Sequence, residues 1–134
     1  MALADLSAEN TVLVLNGIGE ITDWGRADPP FMIENIDARG SLSRGFGGNA
    51  AAFHRKNPGI RVTINLMPGS PQALSLQAQV NSRAEMSGSY ASIDGLEGAV
   101  FAEGIFVSGK SIGRGGPGMN DATFVIEANT GVIQ

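Results

Sequence analysis

The chain of 134 residues contains no cysteine and only one histidine, His54. Without cysteine, the protein can form neither disulfides nor thiolate metal ligands. His54 has no second histidine or cysteine to complete a zinc site, and no acid/base or nucleophile constellation accompanies it. The sequence therefore predicts no metal, no cofactor, no catalytic residue and no enzymatic activity.

The chain also lacks a long apolar run and an excess of basic residues. No segment approaches the ~20 apolar residues that cross a bilayer, so we expect no membrane insertion. Residues 1–11 lack the basic and apolar regions of a secretory signal, which indicates synthesis in a cytoplasm. Nine lysine and arginine residues against thirteen acids give a net charge of −4, which argues against a nucleic-acid reader.

What the chain does contain is 43% hydrophobic residues and nineteen glycines. This composition favours one domain over residues 1–134 that is mainly β, with strands joined by many turns. The expected architecture is an antiparallel β-sandwich or barrel with one α-helix packed on it. Strands are predicted at residues 11–16, 31–36, 60–67, 89–93, 99–107 and 122–129, after a flexible arm at residues 1–10.

Residues 44–66 combine two different patterns. Residues 44–59 are rich in glycine, alanine and basic side chains and show no apolar periodicity, which predicts an extended, mobile loop. Residues 60–66 then alternate apolar and polar side chains, which is the period of a strand with one face in water. A long polar loop that leads into one strong strand favours a protein that polymerises through that loop.

A helix is predicted to begin after Ser70, with Ser70 as N-cap and Pro71 as the first helical residue, and to run to about Met86. One stripe of small and apolar side chains would pack on a sheet, and polar side chains would face water. The stripe comprises Ala73, Leu76, Val80 and Ala84, and the side chains expected in water are Gln72, Gln79 and Arg83.

One motif suggests nucleotide binding and is rejected. Residues 104–111, GIFVSGKS, fit the phosphate-loop pattern GxxxxGK[ST], in which backbone amides and the lysine hold phosphate oxygens. That loop must be followed by a helix, but residues 112–118, IGRGGPG, are a poor helix sequence. The GxGxxG pattern at residues 113–118 lacks a following helix for the same reason. We therefore expect a strand followed by a surface loop.

Several segments together resemble the tail tube subunits of long-tailed bacteriophages, in particular a small structural family typical of contractile-tailed phages. They are GFGGNA at residues 45–50, GIRVTINL at 59–66, GSP at 69–71, GEITDWG at 19–25 and TFVIEA at 123–128. The resemblance implies homohexameric rings, each closed into a β-barrel, that stack into a tube in the virion tail. It also implies sheath, baseplate and tail terminator proteins as partners, with DNA passing non-specifically through the lumen into the host.

In such a tube, the loop at residues 44–59 and the arm at residues 1–10 would provide contacts between rings. The predicted interface residues are Arg44, Phe46, Asn49, Phe53, His54, Arg55, Lys56 and Asn57, and the lumen candidates are Thr63 and Asn65. The basic residues, Arg61 included, fit a solvated face as well as pairing with acids of a neighbouring subunit. Candidate acids are Asp23, Asp28, Glu34 and Asp37. Trp24 is either an interface anchor or a core residue.

Two other functions stay open at this point. The inner tube of a type VI secretion or tailocin-like particle shares the architecture without carrying a genome, and the sequence does not separate it from a phage tube. A small β-barrel that binds an apolar ligand is the second, and it predicts a monomer or dimer with an enclosed cavity and a short loop. The sequence also leaves open whether the tail contracts, how long the tube is and which host it serves.

Overall fold

A computed structural model describes residues 11–92, 95, 97–115 and 118–134. The predicted arm at residues 1–10 and residue 93 of a predicted strand lie outside these residues. In chain order the elements are β1 (Thr11–Leu15), β2 (Gly19–Glu20), β3 (Phe31–Asn35), β4 (Gly40–Arg44), β5 (Ala50–His54), β6 (Ile60–Leu66), α1 (Pro71–Ser82), β7 (Met86–Ser92), β8 (Gly98–Ser108) and β9 (Ala122–Ile133).

Seven of these strands form one antiparallel sheet, in the order β2-β1-β7-β8-β9-β6-β3. The alternation predicted for β6 is confirmed, since its four apolar side chains are fully buried and the three between them point outward. On β9, Ile126 lies opposite Val62 and Phe124 lies opposite Ile64, all four with no exposed surface. The inward faces of β6 and β9 therefore form the centre of the core.

The sheet curls around this core. Phe31 on β3 and Tyr90 on β7 bring their ring centroids to 5.2 Å, although three other strands separate β3 from β7 in the sheet order. Trp24 stacks on Phe31 at 5.1 Å and packs against the buried cluster, so it is a half-buried member of the core. The predicted mainly β, antiparallel fold with one helix is confirmed.

The helix begins as predicted but ends earlier. The Ser70 hydroxyl accepts a hydrogen bond from the Ala73 N–H at 3.3 Å, which caps the first turn. Arg83 adopts a left-handed conformation with φ of 58° and ends the helix, so the predicted end near Met86 is wrong. The predicted stripe faces the core, with Ala73 and Leu76 fully buried. Within the described residues, no helix is long and apolar enough to span a membrane.

β7 and β9 extend well beyond their predicted bounds, and β8 extends by one residue at each end. β7 begins at Met86, three residues before the predicted start at residue 89, and β9 continues to Ile133, opposite Ala99 on β8. Gly88 permits the close packing of β7, because a Cβ atom there would collide with the Val14 carbonyl oxygen and the Phe101 ring. The missing side chain at Gly88 is thus a requirement of the core.

Candidate assembly surface

β4 and β5 form a hairpin that is separate from the main sheet. The register runs from Gly40 opposite His54 to Arg44 opposite Ala50. The prediction of an extended, mobile loop at residues 44–59 did not include the strand β5, which pairs there with β4. Backbone hydrogen bonds hold the two strands together, and their sequences, GSLSR and AAAFH, show no apolar alternation that would reveal a strand.

The eight predicted interface residues lie in this hairpin and in the segment that follows it. Arg44 ends β4, Phe46 and Asn49 lie in the turn, Phe53 and His54 lie in β5, and Arg55, Lys56 and Asn57 lead back to β6. Every residue from 37 to 57 is exposed. The structure thus brings the predicted interface residues together on one projection, which is free of the subunit's own core.

The hairpin presents large apolar side chains to water. Phe46 is 115% exposed relative to its reference state, Leu42 is 65% exposed and Phe53 is 60% exposed. Two exposed phenylalanines and a leucine on one short projection are unfavourable in an isolated subunit. Full burial of each side chain would lower the free energy by roughly 1.5–3 kcal/mol. Exposed apolar clusters of this kind are typical of surfaces that bind a partner.

The root of the hairpin is attached firmly to the main sheet. Ile36 N–H donates to the Gly59 carbonyl at 3.3 Å, Asp37 N–H donates to the Pro58 carbonyl at 3.0 Å, and Arg55 N–H donates to the Arg39 carbonyl at 2.7 Å. The first two bonds continue the β3–β6 pairing outward from its last paired residues, and the third continues the β4–β5 pairing towards the sheet. The hairpin is therefore directed by the sheet, even though its side chains contact solvent.

Charge is distributed unevenly between the hairpin and the rest of the chain. Residues 38–57 hold four of the nine lysine and arginine residues and no acid, which gives +4. The remaining residues hold five bases and thirteen acids, which gives −8 and accounts for the total of −4. A basic projection on an acidic body is complementary to the body of another copy.

Ion pairs within the subunit use part of the basic cluster. Arg55 Nη1 lies 3.8 Å from Asp37 Oδ2, and Arg61 lies 3.5 Å from Glu34 and 3.2 Å from Glu127. Glu34 and Asp37, predicted as acids for a neighbouring subunit, thus have partners in their own chain. Within the described part of the chain, Arg44 and Lys56 have no ion-pair partner.

Two other predicted acids lie away from the hairpin. The Asp23 carboxylate accepts a hydrogen bond from the Gln72 N–H at 3.3 Å, at the start of α1. Asp28 is exposed in the segment between β2 and β3. Their pairing with a neighbouring subunit stays a prediction, as does that of Arg44 and Lys56.

The lumen candidates Thr63 and Asn65 lie on the outward face of β6 and are half-buried. Asn65 Oδ1 accepts a hydrogen bond from the Thr123 hydroxyl at 2.7 Å, and Asn65 Nδ2 donates to the Pro30 carbonyl at 3.3 Å. The outward face of β6 and β9 is therefore polar with side chains that are held in place. Whether this face lines a channel stays a prediction.

The phosphate-loop pattern proves to be a strand, as predicted. Gly104 to Ser108 belong to β8, and residues 111–115 form no helix. Residues 109–113, GKSIG, also have the GxSxG spacing of a nucleophile elbow, which likewise requires a helix after the serine. The Ser111 hydroxyl instead accepts a hydrogen bond from Asn120 Nδ2 at 3.1 Å, which ties the loop together.

A half-open pocket of about 270 Å³ lies at one end of the curled sheet. Its lining includes Phe31, Ile33 and Ala99, and the Tyr90 hydroxyl donates to Glu97 Oε1 at 2.6 Å beside them. If the chain were a binding module, a small β-barrel that binds an apolar ligand, we would expect an enclosed cavity and a short loop. The hairpin is long and this pocket opens to solvent, so neither feature favours the binding module.

The chain resembles solved structures in its fold but matches no known family by sequence. No protein-family model matches the chain, and no curated protein matches its sequence. A chain of the PVC sheath/tube terminator, from an extracellular contractile injection system in the extended state, matches with a TM-score of 0.59 and 13% identity over 100% of this chain and 99% of that chain. The fold is one that contractile injection systems use.

Two further solved structures agree. A chain of the PVC sheath–tube complex in the extended state has a TM-score of 0.57 and 12% identity, covering 97% of this chain and 91% of that chain. A chain of the anti-feeding prophage cap, described as a tube terminating cap, has a TM-score of 0.55 and 12% identity, covering 100% and 93%. The tail-tube-like fold predicted from the sequence is therefore confirmed, and identities this low establish the fold alone.

Proposed function

We propose that this chain is the structural subunit of a tail tube. Six copies form a ring whose sheets close a β-barrel around a channel, and the rings stack into a tube in a virion tail. Sheath, baseplate and tail terminator proteins assemble with it, and the subunit is made in the cytoplasm of a host bacterium. The fold shared with chains of contractile injection systems supports this assignment.

The observation that carries the proposal is the exposed basic hairpin. A fully exposed Phe46 beside unpaired cations has no use in an isolated subunit, since it costs solubility and contributes nothing to the subunit's own core. In a stack of identical rings, the hairpin can reach a neighbouring subunit and bury these side chains. The contact joins two different surfaces, so it repeats along an axis instead of closing a dimer.

The charge of the assembly suits the passage of DNA. Six subunits of −4 each give −24 per ring, and an acidic wall repels phosphate so that DNA slides without binding. The outward row Glu34–Arg61–Glu127 contributes one net negative charge next to Thr63, a lumen candidate. Polar side chains held in place by their own hydrogen bonds would offer DNA few free groups.

A tube that carries no genome is the second candidate. The fold neighbours belong to PVC and anti-feeding prophage particles, which are contractile injection systems, and this is the observation that supports a secretion-type tube as the alternative. The two candidates differ in the content of the channel. Particles purified with their sheath and treated with nuclease should retain protected DNA if the tube delivers a genome, and should retain none if it delivers protein.

Assembly itself is tested on the purified chain. We expect light scattering after size-exclusion chromatography to show oligomers, and negative-stain microscopy to show rings or hollow rods. Replacing residues 41–53 by Asn-Gly leaves Gly40 and His54 as the last paired residues and should remove rods while the subunit still unfolds cooperatively. Phe46→Ser should act in the same direction, whereas Leu74→Ser, at a 58% exposed position on α1, is the matched control. Normal rods from the shortened variant would exclude the hairpin as the axial contact.

A further inference from the structure

A row of exposed side chains crosses four strands of the main sheet. Val14 on β1 lies opposite Ser89 on β7, Ser89 lies opposite Val100 on β8, and Val100 lies opposite Val132 on β9. Val14 is 36% exposed, Val100 is 58% exposed and Val132 is 59% exposed. We call this outward surface the valine face, and Ala102, two residues along β8 from Val100, belongs to it.

The valine face is bordered by carboxylates and lacks cations. Across the described residues of β1, β2, β7, β8 and β9 there is no lysine and no arginine. Glu20 lies opposite Val14 at one end of the row. At the side of the row, a shallow groove of about 280 Å³ is lined by Glu85, Glu103 and Ala102. The surface is thus apolar in the middle and acidic at its margin.

We propose that the valine face receives the hairpin of a second copy of this chain, a statement that rests on the tube proposed above. The hairpin is apolar through Leu42, Phe46 and Phe53 and basic through Arg44 and Lys56, so each surface supplies what the other lacks. Apolar side chains become buried at the centre, and opposite charges meet at the margin. Opposite charges at a rim mainly set the docking register and the association rate.

The dimensions of the two surfaces agree. Four neighbouring strands separated by ~4.8 Å span about 14 Å across the row. Five paired residues at ~3.4 Å each make the hairpin about 17 Å long. A hairpin laid across the row can therefore reach from β1 to β9 with its turn beyond the last strand. This length places Phe46, in the turn, at one margin of the face.

Charge and exposure also argue against two other occupants of the valine face, the subunit's own hairpin and residues 1–10. The subunit's own hairpin is exposed throughout residues 37–57, so it does not cover its own valine face. Residues 1–10 contain two acids and no base, so their charge does not complement an acidic margin. The hairpin is the one segment with a large basic excess, +4 over residues 38–57.

The absence of native cysteine makes the test direct. The Val100→Cys variant is labelled with a maleimide before and after assembly, and Val132→Cys serves as the second probe of the same face. We expect the thiol to react freely in the unassembled subunit and about tenfold or more slowly in rods, since thiol reactivity follows exposure. The Leu74→Cys variant, on the exposed side of α1, should keep its rate of labelling.

Cross-linking then identifies the occupant. Val132→Cys subunits on β9 mixed with Gly47→Cys subunits, whose thiol lies in the hairpin turn beside Phe46, should form a disulfide-linked dimer under oxidation in rods. Leu74→Cys with Gly47→Cys should not. Protection of the Val100→Cys thiol in the monomer, relieved by removing residues 1–10, would overturn the proposal in favour of that segment. If rods form but the Val100→Cys thiol stays reactive in them, the hairpin does not cover the valine face. That result would overturn this proposal, leave the valine face to another protein and leave the proposed tube intact. A chain that never assembles would overturn both this inference and the proposed function.

Discussion

Arg61 and Glu127 lie directly opposite each other on β6 and β9, with Arg61 Nη2 3.2 Å from Glu127 Oε2. The second guanidinium nitrogen lies 3.5 Å from Glu34, which is opposite Arg61 on β3. One cation therefore separates two carboxylates in a row across three strands. Because these side chains are 30–47% exposed, solvent screens much of the attraction between them.

Replacing this cation should destabilise the sheet modestly. In Arg61→Ala, Glu34 and Glu127 face each other with no charge between them, and we expect a loss of about 1 kcal/mol in unfolding free energy. For a chain of this size that corresponds to roughly 3–5 °C in Tm, measured by thermal unfolding under conditions that keep the subunit unassembled. Arg26→Ala removes an exposed arginine that has no ion-pair partner among the described residues and should change Tm little. Equal losses for both variants would show that the row has no special role.

A second stabilising contact joins the helix to the segment before β3. The Gln72 side-chain oxygen accepts hydrogen bonds from the Thr22 and Asp23 N–H groups at 2.8 and 2.9 Å, and its nitrogen donates to the Glu20 carbonyl at 2.7 Å. Gln72 was predicted to face water, and that prediction is wrong. Its side chain replaces the strand partner that this irregular segment lacks.

Removing this side chain should cost more than removing another glutamine of the same helix. Gln72→Ala leaves two backbone N–H groups without their acceptor, and we expect about 1–3 kcal/mol of destabilisation in urea unfolding. Gln79→Ala is the matched control, because its side chain makes no hydrogen bond within the described residues, and we expect a change within about 0.5 kcal/mol. The assignment fails if the two variants unfold at the same urea concentration.

These contacts show which features the sequence could reveal. The alternation at residues 60–66 predicted β6 because burial on one face imposes a period of two, and Ser70-Pro71 predicted the start of α1 because capping depends on local residues. The role of Gln72 depends on residues about 50 positions away, which no local pattern records. Arg83 ends the helix in a left-handed conformation that glycine usually adopts, so the usual stop signal is missing.

The predicted interface residues lie together in the structure, and their role in assembly stays a prediction. Arg44, Phe46 and Phe53 were predicted as interface residues from composition, and the structure groups them on one exposed hairpin. The hairpin strands escaped prediction because their pairing is made by backbone groups and their side chains bury nothing in the subunit. The valine face also escaped prediction, since its members come from four strands and meet only through sheet register.

Gly88 provides a test of packing in the core. A methyl group at this position would collide with the Val14 carbonyl and the Phe101 ring, so Gly88→Ala should lower the unfolding free energy by about 1–3 kcal/mol through overpacking. Gly47→Ala, in the hairpin turn with open space around its Cα, is the matched control and should leave stability nearly unchanged. Equal stability of the two variants in urea unfolding would show that β1 and β7 can separate at no cost.

The distribution of charge predicts how assembly depends on salt. If the +4 hairpin approaches the −8 body of another copy, attraction should raise the association rate at low ionic strength. Screening shortens from ~10 Å at 0.1 M salt to ~3 Å at 1 M, so rod growth followed by light scattering should slow as salt is added. The apolar contribution of Phe46 persists at high salt, and Phe46→Ala should therefore slow growth at every ionic strength.

Neutralising the unpaired cations separates the contribution of charge to rod growth from the contribution of apolar burial. Arg44→Gln together with Lys56→Gln removes charges that have no ion-pair partner in the described part of the subunit, so its stability should change little. Growth of this variant at low salt should fall to the rate that the unaltered chain shows at high salt, and its dependence on salt should flatten. The double variant Glu20→Lys with Glu103→Lys reverses the charge at the margin of the valine face. It should slow rod growth in the same way, although its hairpin is unaltered. Faster growth of the unaltered chain at high salt would contradict electrostatic attraction and leave apolar burial as the driving force.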